Sequence, residues 1–113
     1  MRLPWRSRYH DVIERQLAMF AEDYRPLLVR ISDAKRRYER ARGTESEEAY
    51  GDYMELVEEA EDELLSLRDR YASTMEGRER SRYQREFTRA AERRLPTLQA
   101  RRMYERAMDP DDD

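Results

Sequence analysis

Two rows of apolar side chains at helical spacing lie on either side of Gly43, and they constrain the fold more than any other feature of the chain. The first row is Ile13, Leu17, Phe20, Tyr24, Leu27, Ile31, Ala34, Tyr38 and Ala41, with steps alternating between four and three residues. The second is Tyr50, Tyr53, Val57, Ala60, Leu64, Leu67, Tyr71 and Met75, with the same alternation broken only at its last step. A seam sustained over several heptads is the pattern of a helix lying along another helix. The rows predict helices over about 8–42 and 45–76, and a connection as short as Gly43 turns the pair into an antiparallel hairpin.

Facing residues of such a hairpin share a constant sum of residue numbers. That sum is 87 or 88 from Tyr38 opposite Tyr50 down to Ile13 opposite Met75. Two layers pair a large side chain with a small one, Tyr53 on Ala34 and Leu27 on Ala60, as interdigitation requires. The hairpin core is therefore expected to hold Ile13, Leu17, Phe20, Tyr24, Leu27, Ile31 and Tyr38 from one helix. Tyr53, Val57, Leu64, Leu67 and Tyr71 complete it from the other. Thr44 with Glu47 reads as a capping box, and Gly77 as a left-handed cap closing the second helix.

Residues 76–81 contain no apolar side chain and read as a second connection. Ser81 with Gln84 reads as another capping box, which predicts a third helix over about 82–108. Its stripe is Tyr83, Phe87, Ala90, Ala91, Leu95 and Leu98, then less regularly Met103, Tyr104, Ala107 and Met108. Against the second helix, Phe87 with Tyr71, Ala91 with Leu67 and Leu98 with Ala60 each sum to 158. Pro26 and Pro96 sit inside helical patterns and should kink or break them. Pro4 makes residues 1–7 an irregular lead-in, with Trp5 packing on the end of the bundle. The expected fold is all-α, an elongated up-down-up three-helix antiparallel coiled-coil bundle occupying residues 1–108, with 109–113 as an acidic disordered tail.

Charge follows the same three-part division. Residues 1–42 carry a net +5, residues 43–77 a net −10, residues 78–108 a net +6 and the last five residues −4. A basic–acidic–basic order favours the acidic helix in contact with both others. The run Glu58, Glu59, Glu61, Asp62, Glu63 is expected to form a solvated, arginine-paired face rather than a cation site.

The sequence offers little material for chemistry. It has no cysteine and one histidine, His10, so thiolate metal sites, Cys–His and Ser–His arrangements and paired Glu-x-x-His motifs lack their residues. Its three glycines, Gly43, Gly51 and Gly77, make no phosphate-cradling loop. No cofactor is expected, no apolar run is long enough to span a bilayer, and the cytoplasm is the expected compartment.

Function is expected to be non-enzymatic: a structural, assembly or adaptor protein working through helix-to-helix contacts. Only 17 of 113 residues are Leu, Ile, Val or Phe, so an elongated monomer stabilises poorly and self-association, most simply a dimer, is expected. Val29, Leu56, Met54 and Leu65 lie off the hairpin seam or at its edge and form the candidate partner surface. The alternative is a regulator that contacts nucleic acid or a nucleoprotein through the basic cluster Lys35, Arg36, Arg37, Arg40 and Arg42.

Overall fold

The computed structural model describes residues 8–98. Over that range the chain is helical, with no strand: α1 (His10–Asp23), α2 (Arg25–Arg40), α3 (Thr44–Ala72), α4 (Gly77–Arg94) and a single 3-10 turn, Pro96–Leu98. The described part is elongated, 52 × 34 × 26 Å. The expectations for residues 99–108, including Met103, Tyr104, Ala107 and Met108, for the tail 109–113, and for Trp5 with its lead-in lie outside the described residues.

There are four helices rather than three, because the expected first helix is broken. Pro26 has no N–H to offer the carbonyl four residues back, and its ring crowds that carbonyl. The backbone yields at Tyr24 (φ −108°, ψ 22°), and Pro26 comes to lie in the first turn of α2, where no donor is needed. The interruption is a single residue wide. Tyr24 N–H still donates to Phe20 O (2.9 Å), and Leu28 N–H to Tyr24 O (3.0 Å).

The reversal between α2 and α3 takes three residues. Ala41 is extended (φ −70°, ψ 153°), and Gly43 adopts φ 63°, which side-chain-bearing residues rarely do. Gly43 thus caps the start of α3 instead of the end of α2, and its carbonyl accepts from Ser46 N–H (3.0 Å). Thr44 is the first helical residue and forms no side-chain cap, so the expected Thr44–Glu47 box is not used.

Along the hairpin, the Tyr38 ring lies 5.2 Å from Tyr50 and 6.2 Å from Tyr53. At the other end of α2 the Tyr24 hydroxyl donates to Glu63 (2.8 Å). Ile13, Leu17, Phe20, Leu27, Ile31, Tyr53, Val57 and Leu64 are buried, while Tyr24, Tyr38 and Leu67 are half-buried against them. Tyr71 departs from its expected core place. It is 36% exposed and Ala72 is buried instead. The Tyr71 ring lies against Tyr83 of α4 (5.0 Å) and not in the seam with α1.

The second connection is shorter than expected and changes the register of α4. Ser73–Glu76 link α3 to α4, and Gly77 (φ 54°) begins α4 rather than closing α3. The polar segment read as a loop is mostly helix. Its Arg80 guanidinium turns back onto carbonyls at and just past the end of α3, donating to Met75 O (2.9 and 3.2 Å) and to Ala72 O (3.3 Å), which also accepts from Met75 N–H (2.9 Å). Helix start at Ser81–Gln84 and the register of 158 are therefore corrected. The observed pairs are Tyr71 with Tyr83 (rings 5.0 Å), Arg68 with Thr88 (3.1 Å) and Asp69 with Gln84 (3.1 Å), about one turn away. Pro96 ends the regular helix at Arg94, and Leu98 on the following turn is buried.

Tyr83 joins the pieces. It is fully buried, with Tyr9 edge-on at 5.7 Å, Phe87 at 5.8 Å and Tyr71 at 5.0 Å, and its hydroxyl donates to Gln16 Oε1 (2.7 Å). Contacts near both ends of α4 keep it beside the first part of α1: Glu79 with Arg8 (2.9 Å) and Arg94 with Glu14. Phe87→Ala should lower stability by about 3–5 kcal/mol, because a fully buried ring leaves a cavity. Met19→Ala, at a side chain 60% exposed, should change it by no more than about 0.5 kcal/mol. Urea unfolding of the two variants checks the contrast.

Candidate interaction surface

The outward face of α3 carries a regular row of carboxylates. Glu48, Asp52, Glu55, Glu59 and Asp62 recur every four or three residues, and all are exposed. Like charges at this spacing repel by a few tenths of a kcal/mol per pair, so the row costs the helix stability unless something offsets it. Arg37 of α2 partly does so, lying 3.0 Å from Asp52 and 3.8 Å from Glu48. Glu55 and Glu59 have no ion pair among the described residues.

The outward face of α4 carries the opposite charge at the same period. Arg78, Arg82, Arg85, Arg89 and Arg93 are all exposed. Arg82 pairs with Glu86 (3.0 Å), whereas Arg85 and Arg89 have no ion pair among the described residues. The Tyr71–Tyr83 and Arg68–Thr88 contacts set α4 beside the second half of α3. The acidic row spans residues 48–62, so the two rows are offset along the axis and come level only at Asp62 and Arg93.

The expected basic patch is spread over mixed charge. Lys35, Arg36, Arg37, Arg40 and Arg42 are all exposed near the hairpin turn. Arg36 pairs with Asp33, and Arg37 with Asp52 and Glu48. Arg36, Arg37 and Arg40 border an open concavity of about 560 Å³ with Ala41, but Asp33, Glu45 and Glu48 border it too. The surface there is not of one sign.

The four apolar side chains of the candidate partner surface do not form one patch. Val29, between buried Leu27 and Ile31, is 52% exposed on the outer side of α2. On α3, Met54 and Leu65 fall about 20° apart around the helix, on one side, while Leu56 falls about 160° from Met54. All three are half-buried. Tyr50, 43% exposed, shares the side of Met54 and was missed as a surface residue because its spacing fits the seam.

Glu61 corrects another expectation. It is 1% exposed, the one buried charged residue among the described residues, although it sits within the run read as solvated. The signal was present: Glu61 is four residues after Val57 and three before Leu64, both buried. Among the described residues no group of three or more His, Asp or Glu is placed to hold a metal, and no helix is long and apolar enough to cross a membrane. No protein-family model, curated protein or solved structure matches the chain.

Some of the perturbed groups lie along the hairpin, at Tyr24 and Tyr53, and others around the contacts of α4 with α1 and α3. The Tyr9 hydroxyl and the Arg8 guanidinium hold the Glu79 carboxyl below its usual range. The Arg68 guanidinium does the same for Asp69. Both carboxylates contribute stability above their ordinary range and lose it as pH falls through the lowered values. Burial pushes the Tyr83 hydroxyl up from 10.0 to about 12. Its contribution is complete below pH 10.0 and is lost as pH rises through about 12. Tyr83→Phe should flatten the fall in stability over that alkaline range, and near neutral pH should cost about 1 kcal/mol through the lost hydrogen bond to Gln16. Thermal melts across pH check both effects.

Proposed function

We propose that this chain is a non-enzymatic structural, assembly or adaptor protein that acts through helix-to-helix protein contacts, with a second copy of itself as its first partner. The observation that supports this most is that, among the described residues, α4 and the turn after it cover only part of the α2–α3 hairpin. α4 accompanies only the second half of α3, as the Tyr71–Tyr83 and Arg68–Thr88 contacts set it. Beyond that reach, Tyr50 is 43% exposed and Met54 half-exposed on one side of α3, and Val29 is 52% exposed on α2. Apolar side chains displayed at helical spacing suit another helix better than they suit water.

This reading takes α1 and α2 as one interrupted rod. The four helices then make three antiparallel rods of coiled-coil character, a shape used for spacing and joining rather than for enclosing a substrate. The cytoplasm is the compartment it assumes. A nucleic-acid role draws less support, since Arg36 and Arg37 are already engaged by Asp33, Asp52 and Glu48.

Sedimentation equilibrium at micromolar concentration should return a mass above 13.8 kDa, with a melting temperature that rises with concentration. A mass of 13.8 kDa and concentration-independent melting would remove self-association. If that result came with salt-sensitive nucleic-acid binding, lost on replacing Arg36, Arg37 and Arg40 by Gln, the alternative would stand in its place.

A further inference from the structure

The two charged rows have the same period and nearly the same length. Glu48 to Asp62 covers about 21 Å of α3 and Arg78 to Arg93 about 22 Å of α4, at 1.5 Å per residue. They overlap within one chain only at one end, because the acidic row spans residues 48–62 of α3 while the Arg68–Thr88 and Tyr71–Tyr83 contacts set α4 beside about residues 61–77, which brings Arg93 level with Asp62 and leaves the rest of each row unopposed by the other. The side chains nearest the middle of each row, Glu55 and Glu59 on α3 and Arg85 and Arg89 on α4, are exposed and have no ion pair among the described residues.

We propose that the acidic row of α3 in one copy docks on the arginine row of α4 in a second copy, with the two copies displaced along the helix axis. The inference rests on the self-association proposed above and names its surface. Matching 4-3-4 spacing lets successive carboxylates meet successive guanidinium groups along an antiparallel or parallel helix pair, as charged positions do beside a coiled-coil seam. Guanidinium groups suit this role because they bind carboxylates through two parallel hydrogen bonds.

The offset in height decides the kind of assembly. A copy that slides to bring its arginine row onto its neighbour's acidic row leaves its own acidic row, and its neighbour's arginine row, uncovered for a further copy. The contact is therefore head-to-tail and can repeat, so that a dimer is its first step and a staggered series its continuation. Each contact is weak per ion pair and gains from having several in register, which makes the association steeply dependent on salt.

The test is charge exchange on the full chain, read by sedimentation velocity at about 0.02 M and about 0.5 M salt. The variants are Arg85→Glu with Arg89→Glu, and Glu55→Arg with Glu59→Arg, all at exposed positions, with far-UV circular dichroism confirming unchanged helicity. The wild type should show species above 13.8 kDa at low salt that collapse to 13.8 kDa at high salt. Each variant alone should lose those species, and an equimolar mixture of the two should regain them and extend beyond a dimer, since the unaltered acidic row of the first then meets the unaltered arginine row of the second and the two exchanged rows also oppose one another. A neutral variant, Arg85→Gln with Arg89→Gln, should lose association alone, and mixed with the Glu55→Arg, Glu59→Arg chain should form only the one contact of its own acidic row with that chain's arginine row, giving dimers and no longer series. Association that persists at high salt and in every variant would overturn the charged contact while leaving self-association in place. A monomer at both salt concentrations would overturn both.

Discussion

A chain this polar can close a core only if one helix folds back on another over most of its length, and the α2–α3 seam is that contact. It brings Leu27, Ile31, Tyr53, Val57, Ala60 and Leu64 out of water together. Each large side chain buried there contributes about 1.5–3 kcal/mol, so the seam outweighs any of the surface ion pairs, whose individual worth is about 0–1 kcal/mol. The reversal depends on Gly43, whose φ of 63° is open to glycine at little steric cost. Everything else is placed relative to the hairpin: α4 by the aromatic contact of Tyr71 with Tyr83, and α1 by its packing on α4.

The aromatic residues compensate for the shortage of leucine and isoleucine. Tyr83 buries its ring among Tyr9, Tyr71 and Phe87 and spends its one polar group on Gln16, so a tyrosine serves at the centre without an unsatisfied hydroxyl. Arg80 plays a comparable part at the α3–α4 turn, where it donates twice to the Met75 carbonyl. These two side chains explain why α4 starts early and sits one turn away from the register that its apolar stripe alone suggests.

The helical class and the hairpin partners were legible because apolar spacing and a lone glycine are local signals. Tyr38 beside Tyr50 follows from spacing without knowledge of anything else in the chain, and Tyr24, expected opposite Leu64, bonds the residue next to it, Glu63. The boundaries were less so. A helix start at Gly77 is hidden in a polar stretch because Arg, Glu and Ser sustain a helix as well as a loop, and only the bond from Arg80 to Met75 distinguishes them. Pro26 announced a disturbance without saying whether the helix would bend or break, since that depends on what α1 gains by turning toward α4. At the surface, Glu61 shows the reverse problem: a charged residue on a buried helical position looks like part of an acidic run unless its place relative to Val57 and Leu64 is weighed first.

The outer faces then follow from what the core leaves over. Burying the seam puts Glu55 and Glu59 on one exposed row, and burying Tyr83 and Phe87 puts Arg85 and Arg89 on another. Both rows have their positions only if the chain reverses at Gly43 within a single molecule, and a short thiol-reactive crosslinker tests that most directly. Cysteines replacing Tyr38 and Tyr50, whose rings lie 5.2 Å apart, should join within one chain at high dilution and leave a protein that migrates as a monomer. Crosslinks found only between chains would contradict the hairpin, because α2 and α3 would then be partners from different molecules.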